Sequence, residues 1–275
     1  MEKFGLIGHP IRHSLSPALF KAAFGGKYTY DLIEEENFEK AYEKFMDEYD
    51  AINVTAPFKE QAYRKADTCS PECEVIGAAN ILCKMDDGRI MAANSDQMGV
   101  TGAVMTGQDP VKRTNATALI VGCGGAAKAA AYAMCCSGHR TIILNRNYEK
   151  AKDFAQELTK NPGFDASAMP LDEFRMWFRK AGVIIYTLPV IIPAVKELNK
   201  RDLKGRFIGS DPKILVEANY KDPAFTPDII TSYKKSNRKF TYVSGKEWLL
   251  HQAIGAYRHF VCDTPDIDAM RAVIL

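Results

Sequence analysis

The sequence predicts an α/β protein made of two successive α/β units. Short β-branched runs alternate with longer helical patterns in both halves of the chain, which is typical of parallel sheets whose strands are joined by helices. The 275 residues suffice for one large or two medium domains. A glycine-rich turn at residues 122–125 separates an apolar run from an alanine-rich one, so a strand–turn–helix unit lies near the start of the second half.

Three strands and two helices are predicted in the first unit. The strands are Lys3–Gly8, Tyr28–Ile33 and Ala51–Val54, which are short runs rich in apolar and aromatic residues. The helices are Pro17–Phe24 and the amphipathic segment Phe38–Glu48.

A polar stretch, Thr106–Asn115, predicts the boundary before the second unit because it combines glycine, proline and charged residues. After this boundary the sequence predicts four strands, Ala116–Val121, Thr141–Asn145, Val183–Thr187 and Phe207–Ser210, and two helices, Ala126–Ser137 and Glu247–Phe260.

Composition and charge exclude several classes of protein. Lys and Arg total 36 and Asp and Glu total 34, a net charge of +2, so no long-range field favours nucleic acid or an anionic membrane. No apolar stretch has the roughly 18 residues of a transmembrane helix. The first residues lack the pattern of a secretory signal, so we expect a cytoplasmic protein. The seven cysteines and five histidines follow no disulfide or metal-ligand spacing, so we expect neither.

The glycine-rich turn matches a dinucleotide-binding fingerprint and indicates a Rossmann-type domain. Gly122 permits the tight turn, and Gly124 lets the backbone approach a pyrophosphate. Gly125 completes the turn and Ala126 begins the helix. Ala127 keeps this helix close to the strand, and the N-terminal N–H groups of the helix face the phosphates. The alternative interpretation is a glycine turn in an ordinary βα unit.

The end of the next strand indicates NADP rather than NAD. NAD-binding units usually carry an acidic residue there to bind the ribose 2′-hydroxyl, whereas this chain has Asn145 and Arg146. The Arg146 guanidinium can hydrogen-bond a 2′-phosphate, and Lys150 adds positive charge one turn away. The alternative interpretation is that Arg146 and Lys150 are solvated surface charges.

Polar clusters in the first unit follow apolar runs, where ligands gather in open α/β sheets. Ser14 and Ser16 follow the first strand. Thr55 and Lys59 follow the third strand, and Asp96 follows a further apolar segment. Each also has a structural alternative, because Ser16 or Asp96 could cap a helix and Lys59 could be a surface lysine.

Together these motifs resemble the shikimate dehydrogenase family. They occur in the family's order and span nearly the whole chain, from Gly8 to Gln252. The matching motifs are Ser14-Leu15-Ser16-Pro17, Asn53–Lys59, Gly77-Ala78-Ala79-Asn80, Asn94-Ser95-Asp96 with Gly99, Gly122–Ala127, Asn145-Arg146 and Leu250-His251-Gln252-Ala253.

The resemblance implies an NADP-dependent oxidoreductase that acts on a CH–OH group. Its reaction would be the reversible reduction of 3-dehydroshikimate to shikimate, in aromatic amino acid biosynthesis. It implies a substrate-binding α/β domain of residues 1–104 and 245–275, a Rossmann-type NADP-binding domain of residues 105–244, and a cleft between them. The expected partners are the small-molecule substrate and NADP, without nucleic acid, membrane or metal, in a monomer or homodimer.

The resemblance also implies roles for single residues. Lys59 is the proton donor to the ketone oxygen, and the base in the reverse direction, with Asp96 as its hydrogen-bonded partner. Ser14 and Ser16 bind the substrate carboxylate. The residues expected to bind the substrate hydroxyls are Thr55, Asn80, Asp96 and Gln252, with Tyr220 as a further substrate contact.

The chain departs from the family pattern in several segments. Gln97 stands where the family commonly has glycine, and Glu217–Tyr220 only approximates an Asp-x-x-Tyr segment. Residues Tyr186–Pro193 replace a Thr-rich loop with a Gly-Met pair near the nicotinamide.

The sequence leaves three alternatives to this function open. The chain could use quinate, could prefer NAD, or could be a non-catalytic NADP-binding sensor. Arg146 argues against NAD, and the presence of both Lys59 and Asp96 argues against a sensor.

Overall fold

The computed structural model describes residues 2–107, 116–203 and 212–275. The predicted strand Phe207–Ser210 lies outside these ranges, as does most of the predicted boundary Thr106–Asn115. None of the helices in these ranges combines the length and the apolar composition that a membrane span requires.

The chain divides into two compact units. The first comprises Met1–Gly99 and Leu249–Leu275, and the second comprises Val100–Trp248. Both boundaries fall inside continuous helices, Asp96–Gly107 and Gly245–Phe260.

Strands and helices alternate along both units. In chain order the strands are β1 (Lys3–Gly8), β2 (Thr29–Glu34), β3 (Ala51–Val54), β4 (Thr68–Cys69), β5 (Ile81–Lys84), β6 (Ile90–Ala93), β7 (Ala118–Val121), β8 (Thr141–Asn145), β9 (Ala166–Pro170), β10 (Val183–Tyr186), β11 (Lys213–Glu217) and β12 (Phe240–Val243). The helices are α1 (Ser16–Phe24), α2 (Phe38–Glu48), α3 (Lys59–Lys65), α4 (Pro71–Ile76), α5 (Asp96–Gly107), α6 (Gly125–Cys136), α7 (Tyr148–Thr159), α8 (Phe174–Lys180), α9 (Pro193–Lys196), α10 (Lys200–Leu203), α11 (Pro227–Ser236), α12 (Gly245–Phe260) and α13 (Ile267–Ile274). Every predicted element within the described ranges is confirmed, with ends shifted by at most two residues.

The sheet of the first unit is mixed, and the purely parallel arrangement predicted from the sequence is wrong there. Its order is β2-β1-β3-β5-β6-β4, and β5 runs antiparallel to both β3 and β6. The β5–β6 hairpin turns at Gly88, whose φ of +82° lies in the left-handed region that glycine favours. The dipeptide Asp87-Gly88 is the sequence signal that indicates this hairpin.

The mixed strand order brings three chain segments together at one edge of the sheet, here the edge where β3 and β6 end and β5 begins. Asn53 near the end of β3 pairs with Ile81 at the start of β5, and Ile81 pairs with Ala93 at the end of β6. The antiparallel strand therefore begins where its two neighbours end. Residues 54–59, 77–80 and 94–96 meet at this edge.

The sheet of the second unit is parallel throughout its described strand pairs, as a Rossmann-type domain requires. Its order is β12-β11-β10-β7-β8-β9, so β7 lies between β8 and β10. The four residues of β7 and the four of β10 are all buried. Helices therefore cover both faces of the sheet, and ligands gather at the carboxyl ends of the strands.

Candidate active site

Lys59 and Asp96 form a buried ion pair in the first unit. Lys59 Nζ donates to Asp96 Oδ2 over 2.5 Å, and the two side chains are 13% and 1% exposed. Charges removed from water are stable only when they are paired, so each group holds the other in place. The two residues predicted to be catalytic lie together, and the surface-lysine alternative for Lys59 is wrong.

The turn between β3 and α3 places Lys59 at the first position of α3. Thr55 N donates to Ile7 O over 2.9 Å, and Phe58 N donates to Thr55 O over 3.0 Å. Lys59 O accepts from Ala79 N over 2.8 Å. Backbone hydrogen bonds on both sides of Lys59 therefore hold its main chain and leave its side chain to reach the carboxylate.

Asn94 fixes the start of α5. Its Oδ1 accepts from Asp96 N over 2.9 Å, and its Nδ2 donates to Ala78 O over 2.6 Å. Asn94 thus satisfies an N–H of the first helical turn, which is the role of a cap. The carboxylate of Asp96 pairs with Lys59 instead, so the capping alternative for Asp96 is wrong.

Asn80 is held by its neighbour Ser95 at the same edge. Asn80 Oδ1 accepts from Ser95 N over 2.8 Å, and Asn80 Nδ2 donates to Ser95 Oγ over 3.1 Å. Both residues are buried. An amide nitrogen carries two N–H groups, so Asn80 keeps a second N–H that can donate to a ligand hydroxyl.

The two serines of the loop after β1 are hydrogen-bonded to each other. Ser14 Oγ donates to Ser16 Oγ over 3.0 Å and accepts from Ser16 N over 3.2 Å. Ser16 is the first residue of α1, and the cap position is Leu15, which makes no side-chain capping bond. The N-cap alternative for Ser16 is therefore wrong. Two adjacent hydroxyls suit the two oxygens of a carboxylate.

Glu34 anchors the loop that carries the serines. Its Oε1 accepts from Ile11 N over 3.1 Å, and its Oε2 accepts from Arg12 Nε over 2.5 Å. The hydrogen bond from Arg12, and after it the bond from Ile11 N, holds the pKa of Glu34 below its usual value. Because Glu34 ends strand β2, this anchor ties the loop to the sheet.

Tyr30 is a site residue that the sequence patterns did not predict. Its hydroxyl donates to Asn53 Oδ1 over 2.8 Å and is hydrogen-bonded to the Ser16 side chain. Asn53 Nδ2 in turn donates to Asn80 O over 3.1 Å. Desolvation raises the pKa of Tyr30, so its phenol stays protonated. Tyr30 and Asn53 thereby connect the serine pair to Asn80 through side-chain hydrogen bonds.

Gln252 lies half-buried in the part of α12 that belongs to the first unit. One turn later, Gly255 packs on the start of α5, where an added Cβ would lie 2.8 Å from Met98 Sδ and 3.1 Å from Ser95 Cβ. Residues three apart share a helix face. Gln252 therefore lies on the face of α12 that packs on α5.

Tyr220 lies in the second unit, in the loop after β11. Glu217 holds this loop, because its carboxylate accepts hydrogen bonds from Ala224 N, Phe225 N and the Tyr242 hydroxyl. Burial raises the pKa of Glu217.

The turn after β7 forms an open cradle. Gly122 has φ +119°, a conformation that L side chains rarely adopt, and an added Cβ would collide with Thr187 Oγ1. Gly124 is exposed, and an added Cβ there would have no atom within 4 Å. Helix α6 begins at Gly125 without a side-chain cap. The backbone N–H groups of residues 125–127 therefore suit a pyrophosphate such as that of NADP.

Cationic side chains lie beyond the end of β8. Arg146 and Lys150 are exposed, and no ion pair among the described residues involves Arg146. Asn145 Nδ2 donates to Asn147 O over 2.9 Å, and Asn147 Oδ1 accepts from Lys150 N over 3.1 Å as the cap of α7. A guanidinium and an ammonium at this strand end suit a phosphate on the ribose of NADP.

Two family models match the chain, one in each unit. The model of the shikimate dehydrogenase substrate binding domain matches residues 6–82. The model of shikimate / quinate 5-dehydrogenase matches residues 106–199.

Similar proteins cover nearly the full length of the chain. Shikimate dehydrogenase (NADP(+)) of Methanothermobacter thermautotrophicus is 30% identical over 97% of this chain and 93% of its own. Shikimate 5-dehydrogenase of Thermus thermophilus, solved with NADP(H) and shikimate, is 26% identical, with a TM-score of 0.79 over 100% of this chain and 98% of its own. Quinate dehydrogenase of Corynebacterium glutamicum, at 20% identity and a TM-score of 0.80 over 99% and 98%, shares the fold. The chain belongs to the shikimate dehydrogenase family.

Proposed function

We propose that this chain is an NADP-dependent oxidoreductase that reversibly reduces 3-dehydroshikimate to shikimate. The buried pair of Lys59 and Asp96, in a member of this family, is the observation that carries the proposal. Reduction of a ketone builds negative charge on its oxygen, and a proton donor must lie within about 3 Å of it. The Lys59 ammonium is such a donor.

The two side chains of the ion pair differ in exposure, which assigns them different roles in the reaction. Lys59 keeps 13% of its side chain accessible, whereas Asp96 is 1% exposed. Lys59 therefore gives the proton to the substrate oxygen and takes it back in the reverse direction. Asp96 holds the ammonium in one position, and its two oxygens leave acceptor capacity for a substrate hydroxyl.

The polar residues at the same sheet edge suit a small polyhydroxylated acid. Ser14 and Ser16 bind the carboxylate, and Thr55 and Asn80 bind hydroxyls. A buried hydroxyl left without a partner costs about 1–3 kcal/mol, so this lining selects the substrate by its hydroxyl pattern. The further substrate contacts in the proposal are Gln252 and Tyr220.

The second unit holds the cofactor. Bound NADPH supplies the hydride that reduces the ketone carbon. The N–H groups of residues 125–127 bind its pyrophosphate, and Arg146 and Lys150 bind its 2′-phosphate. Asn145 lines the same strand end.

The protein acts in the cytoplasm as a monomer or homodimer, in aromatic amino acid biosynthesis. The seven cysteines follow no disulfide spacing in the sequence, which is typical of proteins of a reducing compartment.

Turnover with defined substrates tests the proposal. Purified protein should oxidise NADPH when 3-dehydroshikimate is added, measured as loss of NADPH absorbance, and should oxidise shikimate faster than quinate in the reverse direction. NADH should be used much more slowly. Protein that is folded and binds NADPH but turns over none of these substrates would contradict the proposal and favour a sensor.

Replacing Lys59 tests the proton donor. Lys59→Ala should lower kcat by roughly 100-fold or more, because the substrate oxygen then lacks its donor. The Kd of NADPH, measured by fluorescence titration, should change little. Lys65→Ala is the matched control, because Lys65 ends the same helix and pairs with Glu39 at the surface. Near-normal turnover by Lys59→Ala would remove Lys59 from the mechanism.

Replacing Arg146 tests the cofactor assignment. Arg146→Ala should raise the KM for NADPH by roughly tenfold or more and leave that for NADH nearly unchanged, because only NADPH carries the 2′-phosphate. Arg140→Ala is the control, since Arg140 precedes the opposite end of β8 and lies near Asp165. Equal effects on the two cofactors would refute the 2′-phosphate role.

Replacing Tyr30 tests the hydrogen-bonded connection beneath the substrate site. Tyr30→Phe keeps the ring but removes the hydroxyl bound to Asn53 and Ser16, so the KM for shikimate should rise roughly threefold to tenfold. We expect kcat and the KM for NADPH to change less than twofold. Tyr28→Phe is the control, since the Tyr28 hydroxyl donates to Asp263. If both variants behave alike, Tyr30 has no positioning role.

A further inference from the structure

We propose that Tyr186 is a positioning residue for the nicotinamide end of the cofactor site. Its hydroxyl holds residues 187–192, here called the β10 loop, so that Val190 and Ile191 present an apolar surface to the nicotinamide ring. This inference rests on the proposed NADP-dependent function.

The strand order places the β10 loop at the far end of the cofactor site. Arg146 follows β8, the glycine turn follows β7, and the β10 loop follows β10. These parallel strands are neighbours in the order β8-β7-β10. A dinucleotide with its 2′-phosphate at β8 and its pyrophosphate at β7 therefore extends toward β10. The end that reaches β10 is the nicotinamide.

The β10 loop packs directly on the glycine turn. Thr187 N and Thr187 Oγ1 both donate to Val121 O, over 3.0 and 2.8 Å. An added Cβ on Gly122 would collide with Thr187 and lie 3.4 Å from Leu188 Cδ2. The start of the loop thus has little freedom to move relative to the pyrophosphate cradle.

The Tyr186 hydroxyl fixes the other half of the β10 loop. It donates to Val190 O over 2.6 Å and accepts from Ile192 N over 3.2 Å. One hydroxyl therefore ties the main chain on both sides of Ile191. The Tyr186 ring is fully buried and packs edge-on against Phe225, with ring centroids 5.4 Å apart.

The phenol is suited to this role, because it stays a donor. Burial raises the pKa of Tyr186, so its hydroxyl is protonated at neutral pH. Phenylalanine would fill the same space but leave the two main-chain groups of the loop without this partner.

The tethered segment exposes apolar side chains at the ligand edge of the sheet. Val190 is 62% exposed and Ile191 41%, whereas Ile192 is buried in the core. Ligand pockets are lined mainly by apolar side chains, with few polar groups to orient the ligand. Val190 and Ile191 give the flat nicotinamide ring such a surface.

Binding of the whole cofactor and of its adenosine half tests the proposal. The ligands are NADPH and adenosine 2′,5′-bisphosphate, which lacks the nicotinamide. Tyr186→Phe should raise the Kd of NADPH roughly threefold to tenfold, because the loop must then be ordered on binding. The Kd of the bisphosphate, measured by calorimetry, should change less than twofold.

Two further variants separate positioning from a loss of folding. Ile191→Ser changes an exposed side chain. This variant should also weaken the binding of NADPH but not that of the bisphosphate. Tyr233→Phe is the control, because the Tyr233 hydroxyl donates to Val195 O, outside the β10 loop, and both Kd values should stay unchanged. Thermal melting without ligand shows whether each variant is folded.

The outcomes decide between the hypotheses. An unchanged NADPH Kd in Tyr186→Phe, or equal weakening of the binding of both ligands in that variant, would overturn the role of Tyr186. An unchanged NADPH Kd in Ile191→Ser would overturn the apolar contact with the nicotinamide. If the unaltered chain binds the bisphosphate but Arg146→Ala does not, the NADP assignment holds regardless of the results with the Tyr186 variant. If the unaltered chain binds neither ligand, the proposed function fails, and this inference fails with it.

Discussion

The arrangement of the first unit depends on one constraint, which is that the side chains of Lys59 and Asp96 must be in contact where water is excluded. A buried charge without its partner is strongly destabilising, so the elements that carry the two side chains must be placed precisely. The antiparallel strand β5 accomplishes this, because it starts where β3 and β6 end. Asn94 then fixes the start of α5, and the turn after β3 fixes the start of α3.

The second unit is organised instead by its parallel strand order. Its strands are parallel, so the loops after β8, β7 and β10 meet at one edge in the order in which a dinucleotide would cross them. The glycine turn has open space around Gly124, and the Tyr186 hydroxyl holds the loop beside it. Exposed cationic side chains, an uncapped helix start and exposed apolar side chains therefore lie along the same edge.

Local sequence patterns predicted six of the twelve described strands and four of the thirteen described helices, because strand and helix periodicity are properties of short segments. They failed for the first sheet, where Asp87-Gly88 forms a hairpin in which β5 and β6 run antiparallel. They also missed Tyr30. This residue looks like an ordinary strand aromatic, and its role comes from Asn53 and Ser16, each at least 14 positions away in the chain.

The sequence by itself determined the two α/β units, the glycine turn, Arg146 at the end of β8 and the ordered motifs of the family. Each single motif consists of residues close together in the chain, and the order of the motifs is given directly by the sequence. Only the tertiary structure decided that Lys59 pairs with Asp96, that Asn94 rather than Asp96 caps α5, and that Tyr186 holds the loop after β10. Most of these contacts join distant segments, and the others depend on local loop geometry. Their distances are fixed by strand order and packing, which no local pattern of residues specifies.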